Sequence, residues 1–188
     1  KNAGLWSSVA GGLLGGLVGN LITNQKRHAS CVRLFEIGRC FKRDPDAKPV
    51  AGYEQTMKIA ALAWGPSDPE QWGISTRKVD FFDIKGDLER LVAHPALEFV
   101  PLAHTALHPG RAAEVRLAGR AIGWIGELHP TWVHDYDLVT APVAFEFELE
   151  AVMPRALPAA VAPSKFPPMI RDLALIVEAK RPVAELLD

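Results

Sequence analysis

The chain has 188 residues, 48% of them hydrophobic and 23% charged. This composition excludes a disordered or fibrous protein and is enough to bury a core without disulfide staples. Its 21 basic and 22 acidic residues leave a net charge of −1, so no global basic field exists and any nucleic-acid contact needs a local patch.

In chain order, the first element is apolar and Gly-rich, from Val9 to Ile22. At about 14 residues it falls short of the roughly 20 needed to span a bilayer, so no membrane partner is expected. Gly12-xxx-Gly16 and Gly15-xxx-Gly19 instead point to a helix packed closely on a neighbour. Ser7 or Ser8 is placed to cap it, and Leu13, Leu14, Val18, Leu21 and Ile22 recur at helical spacing up to about Asn24. The same glycines are not a phosphate loop. No Lys-Ser or Lys-Thr follows them, and Leu5-Trp6-Ser7 is a poor preceding strand.

Val32 to Phe41 alternates as a strand, with Val32, Leu34, Glu36 and Gly38 on one side and Arg33, Phe35, Ile37 and Arg39 on the other. We expect a core strand, and a Glu36 buried there would need a backbone amide or an arginine as partner, because an unpaired buried carboxylate is costly. Met57 to Trp64 reads as a strand covered on both faces, ended by Gly65-Pro66-Ser67-Asp68-Pro69. Asp80 to Val92 is an amphipathic helix with Asp80 at its start, where the helix dipole favours an anion. Short strands are expected at Leu97–Leu102, Ala113–Leu117, Arg120–Glu127 and Val143–Leu149, with Ala118-Gly119 as a hairpin turn. A short helix enters through Pro130 and runs to Tyr136. Ala151 to Pro163 is Ala-, Val- and Pro-rich and reads as a linker; Asp172–Val177 then reads as a strand and Val183–Leu187 as the start of a helix. Few helices among mostly antiparallel strands make an α+β fold.

Few residue patterns point to chemistry. Cys31 and Cys40 form no disulfide framework, which points to a reducing cytoplasm, and nothing nearby marks either thiol as activated. His104-xxx-His108 and His129 raise a metal-dependent hydrolase, but Pro109-Gly110 puts the first pair in a loop, and no glutamate stands between them as base. Lys165, Phe166, Arg171, Lys180 and Arg181 combine basic groups with an aromatic ring, the side chains that hold a phosphate backbone and stack a base. They are the candidate nucleic-acid contacts, and an independent RNA-binding module is the alternative reading they carry. The chain starts at Lys1 and stops at Asp188 within an apparent helix, so we expect both ends to be cut from something longer.

Six segments in order carry a resemblance. They are Arg33-Leu34-Phe35-Glu36-Ile37-Gly38-Arg39-Cys40-Phe41, Asp80-Phe81-Phe82-Asp83-Ile84-Lys85-Gly86 and His108-Pro109-Gly110-Arg111-Ala112-Ala113. The others are Ile122-Gly123-Trp124-Ile125-Gly126-Glu127-Leu128-His129-Pro130, Phe145-Glu146-Phe147-Glu148-Leu149 and the run from Pro163 to Ala174. This set is similar to the β chain of bacterial phenylalanyl-tRNA synthetase.

The resemblance implies an antiparallel sheet flanked by helices over residues 1–150, like a class II synthetase catalytic module without its catalytic residues. A linker over 151–162 would follow, then the truncated opening of a ferredoxin-like anticodon-binding domain over 163–188. Arg33 and Arg39 resemble phosphate-holding arginines. After Gly123-Trp124-Ile125-Gly126-Glu127, however, Leu128-His129-Pro130 stands where catalytic paralogues carry an arginine, so no catalytic, cofactor or metal residue is expected. The implied partners are the α subunit in an α2β2 tetramer and tRNA(Phe). The whole enzyme would use ATP and magnesium, and this piece neither.

Overall fold

The computed structural model describes residues 12–48, 51–153, 165–167, 169–179, 181 and 184–187. The chain divides into two compact units, 1–155 and 156–188.

The first unit is built on six strands: β1 Val32–Arg43, β2 Tyr53–Trp64, β3 Leu97–Pro101, β4 Leu107–Leu117, β5 Arg120–Leu128 and β6 Val143–Glu148. They form one sheet in the order β1-β2-β6-β5-β4-β3, and every neighbouring pair is antiparallel. The last strand in sequence is therefore inserted in the middle of the sheet, and β1 is an edge. This corrects the expectation of a core strand at Arg33–Arg39. Alternation along β1 fixes which side chains share a face, but its position depends on what pairs along its other side, and among the described residues nothing does.

Helix α1, Leu14–Lys26, lies on one face of the sheet and buries Leu14, Leu17, Val18 and Leu21 with Ala60, Leu62, Trp64, Leu128 and Ala144. Helix α2, Phe81–Val92, lies on the other and buries Ile84, Leu88 and Val92 with Ile59, Val115, Ile125, Phe145 and Phe147. The outer half of β2, from Ile59 on, is thus covered on both sides, as its sequence implied, while Tyr53 and Glu54 are exposed. Helix α3, Pro130–Asp135, follows β5, with His129 as its cap. The Ala118-Gly119 turn is a hairpin with both residues at positive φ, 50° and 77°, the twist a tight β4–β5 connection requires.

No described helix is long and apolar enough to cross a membrane. The cap expected at Ser7 or Ser8 lies outside the described residues, as does most of the Pro-rich stretch, 154–164.

In the second unit the described residues 165–179 carry no strand, and α4 spans Ala184–Leu187. The strand expected at Asp172–Val177 is corrected accordingly. Its apolar residues give strand propensity, yet a strand exists only with a neighbour to share its backbone hydrogen bonds, and none is present among the described residues.

Candidate functional site

The sheet register assembles a row of side chains across the α1 face. Glu36 stands beside Ala60, Ala60 beside Glu146, Glu146 beside Trp124, and Trp124 beside Glu114. Strand alternation puts them on one face; the strand order puts Glu146 at its centre, 1% exposed. Glu36, on the edge, is exposed, so it does not need the partner that a buried Glu36 would have required.

Glu146 is fully engaged. Its Oε1 accepts Lys58 Nζ at 2.8 Å, and its Oε2 accepts the Leu13 backbone N–H at 2.7 Å. Leu13 precedes α1 and offers no side-chain cap. The carboxylate therefore takes a backbone donor at the helix start and complements the helix dipole there. Gly12 makes the approach possible, since a Cβ at that position would overlap the Glu146 carboxylate. The backbone amide foreseen for Glu36 serves Glu146 instead, and a lysine supplies the charge. A signal was present in the sequence: Glu146 interrupts the otherwise apolar run Val143-Ala144-Phe145 before Phe147.

Beside this pair lies an open hollow of about 280 Å³ lined by Lys58, Leu102, Glu114, Trp124 and Glu148. Glu114 pairs with Arg116 and Glu148 with Arg120. Each of these cations is already paired with a carboxylate, so none is left over to grip a triphosphate. Arg33 and Arg39 do not reach it. They sit on the opposite face, where Arg33 bonds Asp87 at 3.2 Å and the Ser67 carbonyl at 3.1 Å, and Arg39 bonds Gln55 Oε1 at 3.3 Å. These residues do not fit ATP.

The histidines make local contacts. Nδ1 of His104, His108 and His129 accepts the backbone N–H of Ala106, Gly110 and Thr131 respectively, at 3.0–3.2 Å. The His104 ring also stacks on Trp124, with centroids 5.9 Å apart, and burial lowers its pKa. Among the described residues no three His, Cys, Asp or Glu side chains gather as a metal site. The Cys40 thiol lies on the acidic face, where burial and then the Glu146 carboxylate raise its pKa. That is the opposite of an activated nucleophile.

An ion pair in which Arg111 Nη1 donates to both Glu127 carboxylate oxygens, at 2.8 and 3.1 Å, separates two surface hollows. One, about 510 Å³, is lined by Asp80, Phe81 and Phe82; the other, about 780 Å³, by Pro130, Val133 and Leu138.

Of the candidate nucleic-acid residues, Lys165, Phe166, Arg171 and Arg181 are exposed in the second unit. Arg171 Nε contacts Met169 Sδ at 3.3 Å, and Arg181 pairs with Glu185 at 3.2 Å. Lys180 lies outside the described residues.

Comparison with known proteins places this geometry. The phenylalanine--tRNA ligase beta subunit of Dechloromonas aromatica is 55% identical over 182 residues, covering 97% of this chain and 22% of that relative. That of Cupriavidus pinatubonensis is 49% identical over 186 residues, again covering 97% and 22%. The chain thus spans 22% of the length of these curated relatives. Among solved structures, a pyrrolysyl tRNA synthetase from Desulfitobacterium hafniense, PylSc, superposes with a TM-score of 0.53 at 13% identity, over 76% of this chain and 46% of that one. That likeness concerns the fold, a synthetase-like antiparallel sheet. The family described as the phenylalanyl tRNA synthetase beta chain CLM domain matches residues 7–149. With three quarters of its length matched, the chain belongs to that family.

Proposed function

We propose that this chain is the non-catalytic, synthetase-like module of a phenylalanine--tRNA ligase β subunit, supporting assembly with the α subunit into an α2β2 enzyme. That enzyme would charge tRNA(Phe) with phenylalanine in the cytoplasm, using ATP and magnesium held outside this chain. The observation that carries the reading is the centre of the α1 face. Glu146 is buried there with its own Lys58 and the Leu13 N–H as partners, so the sheet spends its central polar groups on holding itself together. The test is deletion of residues 12–153 from the full β subunit co-expressed with α. Loss of the tetramer by analytical ultracentrifugation, together with loss of charging, is expected; an intact, active tetramer would overturn the reading.

The second unit supports a further reading. Lys165, Phe166 and Arg171 are each exposed, and in our proposal residues 163–188 open a ferredoxin-like domain that contacts tRNA, with 151–162 as its linker. In the assembled enzyme, K165Q/R171Q should weaken tRNA(Phe) binding and reduce its salt dependence. Unchanged binding at every salt concentration would remove these residues from the interface.

A further inference from the structure

The β1–β2 ribbon segregates its charge by face. On one side the register aligns Lys42 with Glu54 and Gly38 with Lys58, next to Glu36 with Ala60. Cations and carboxylates are mixed there, with Lys42 4.0 Å from Glu54. The other side presents Arg33, Phe35, Ile37, Arg39, Phe41 and Arg43 along β1, opposite Ala63, Ala61, Ile59, Met57, Gln55 and Tyr53 on β2. That side has three arginines and no carboxylate of its own.

Arg33 is satisfied by Asp87 from α2. Towards the tip the helix no longer covers the ribbon, and β2 passes from buried at Ile59 to exposed at Tyr53. Phe41 is 63% exposed and Tyr53 49%. They are diagonal neighbours across the ladder, close enough to form one platform. Arg39 and Arg43 flank Phe41 along the strand. Among the described residues the Arg39 guanidinium meets only the neutral amide of Gln55, and Arg43 has no ion-pair partner.

We infer that this open tip of the β1–β2 ribbon binds unpaired RNA, with Phe41 and Tyr53 stacking bases and Arg39 and Arg43 holding the flanking phosphates. Exposed rings on an antiparallel sheet, interleaved with arginine, supply both interactions a single strand offers: base faces for stacking and a regular row of anions. A second copy of this chain is a poor occupant. The ribbon's own strands carry no carboxylate on this face, and Asp87 of α2 is already held by Arg33, so the remaining arginines would meet each other. A protein strand would need two unpaired acids placed opposite Arg39 and Arg43, whereas RNA carries an anion at every residue.

The inference leans on the proposed function only for the nature of the RNA, and the test separates the two. The assembled α/β enzyme is titrated with a fluorescent short oligouridylate at low and high potassium chloride, and a 4-thiouridine version is photo-crosslinked and mapped by mass spectrometry. Crosslinks to the peptide bearing Phe41 or Tyr53 are expected. F41A/Y53A should weaken binding on the order of tenfold. R39Q/R43Q should lower the salt slope by about 1.4, at about 0.7 per phosphate on a single strand. K42Q, on the opposite face, should change nothing. Parental binding by both double variants, or absence of the crosslink, overturns the inference. So does loss of α/β assembly in F41A/Y53A with RNA binding intact, a result that would identify a protein contact and leave the assembly reading standing.

Discussion

Glu146 caps helix α1 from 133 residues away: its Oε2 accepts the Leu13 backbone N–H at 2.7 Å while Oε1 holds Lys58 at 2.8 Å. One carboxylate thus ties together the start of the first helix, the second strand and the last strand. It is 1% exposed and Lys58 is one-quarter exposed, so the lysine is the charge partner of a carboxylate held out of bulk water.

Breaking this pair from either side should be costly. Lys58→Met leaves a buried carboxylate without its cation, and a loss on the order of 3 kcal/mol is expected. Glu146→Leu removes the α1 capping acceptor as well and should cost a similar amount. The double variant K58M/E146L should lose much less than the sum of the two, because no uncompensated charge remains. Urea unfolding of all four proteins measures the cycle. Additive losses would show that the two side chains act independently.

Gly123 is a packing requirement. A Cβ there would overlap the Glu146 carbonyl and the Phe147 backbone on β6. The obstacle is main chain, which cannot swing aside as a flexible side chain does. Gly123→Ala should therefore destabilise the β5–β6 pairing by about 1–3 kcal/mol or more, read as a lowered melting temperature. Gly19→Ala is the control. Nothing lies within 4 Å of its Cβ, and in a helix the alanine should stabilise by up to about 1 kcal/mol.

Two groups set separate pH limits. Asp83 is held down to about 2, first by its hydrogen bonds from Arg77, which lie at 2.6 and 2.7 Å. It also completes the capping box of α2 with Asp80. A carboxyl depressed in the folded state binds protons more readily when unfolded. Its contribution is complete above about pH 4 and disappears as the pH falls towards 2. His104 is also depressed, by burial, against the pull of the Glu146 carboxylate. The unfolded chain protonates that imidazole first, so stability should fall as the pH drops below about 6.5. Urea midpoints measured across both ranges test this. Arg77→Gln should flatten the acid limb and His104→Gln the limb near neutrality, each without altering the other.

Local chemistry was written plainly in the chain. Asp80 marked the start of α2, and it accepts the Phe82 and Asp83 N–H groups at 2.8 and 3.1 Å. Ala118-Gly119 marked the β4–β5 turn, and Pro130 the entry to α3. Alternation marked which residues of β1 share a face, and the six ordered segments marked the family, which the match over residues 7–149 establishes.

The sequence by itself determined most elements of the first unit, their faces and the family, because these depend on period-two alternation, turn residues and short ordered motifs. Only the tertiary structure decided which glutamate is buried. Glu36 and Glu146 occupy equivalent places in alternating strands and stand in the same row, two strands apart. Pairing between β2 and β6 residues 80 to 90 positions apart sends β6 to the middle of the sheet and leaves β1 at its edge. Desolvation therefore falls on Glu146, with Lys58 and the Leu13 N–H as its partners, while Glu36 stays in water. The same edge position leaves Phe41, Tyr53, Arg39 and Arg43 uncovered. That follows from strand order, a long-range property that no local pattern in β1 encodes.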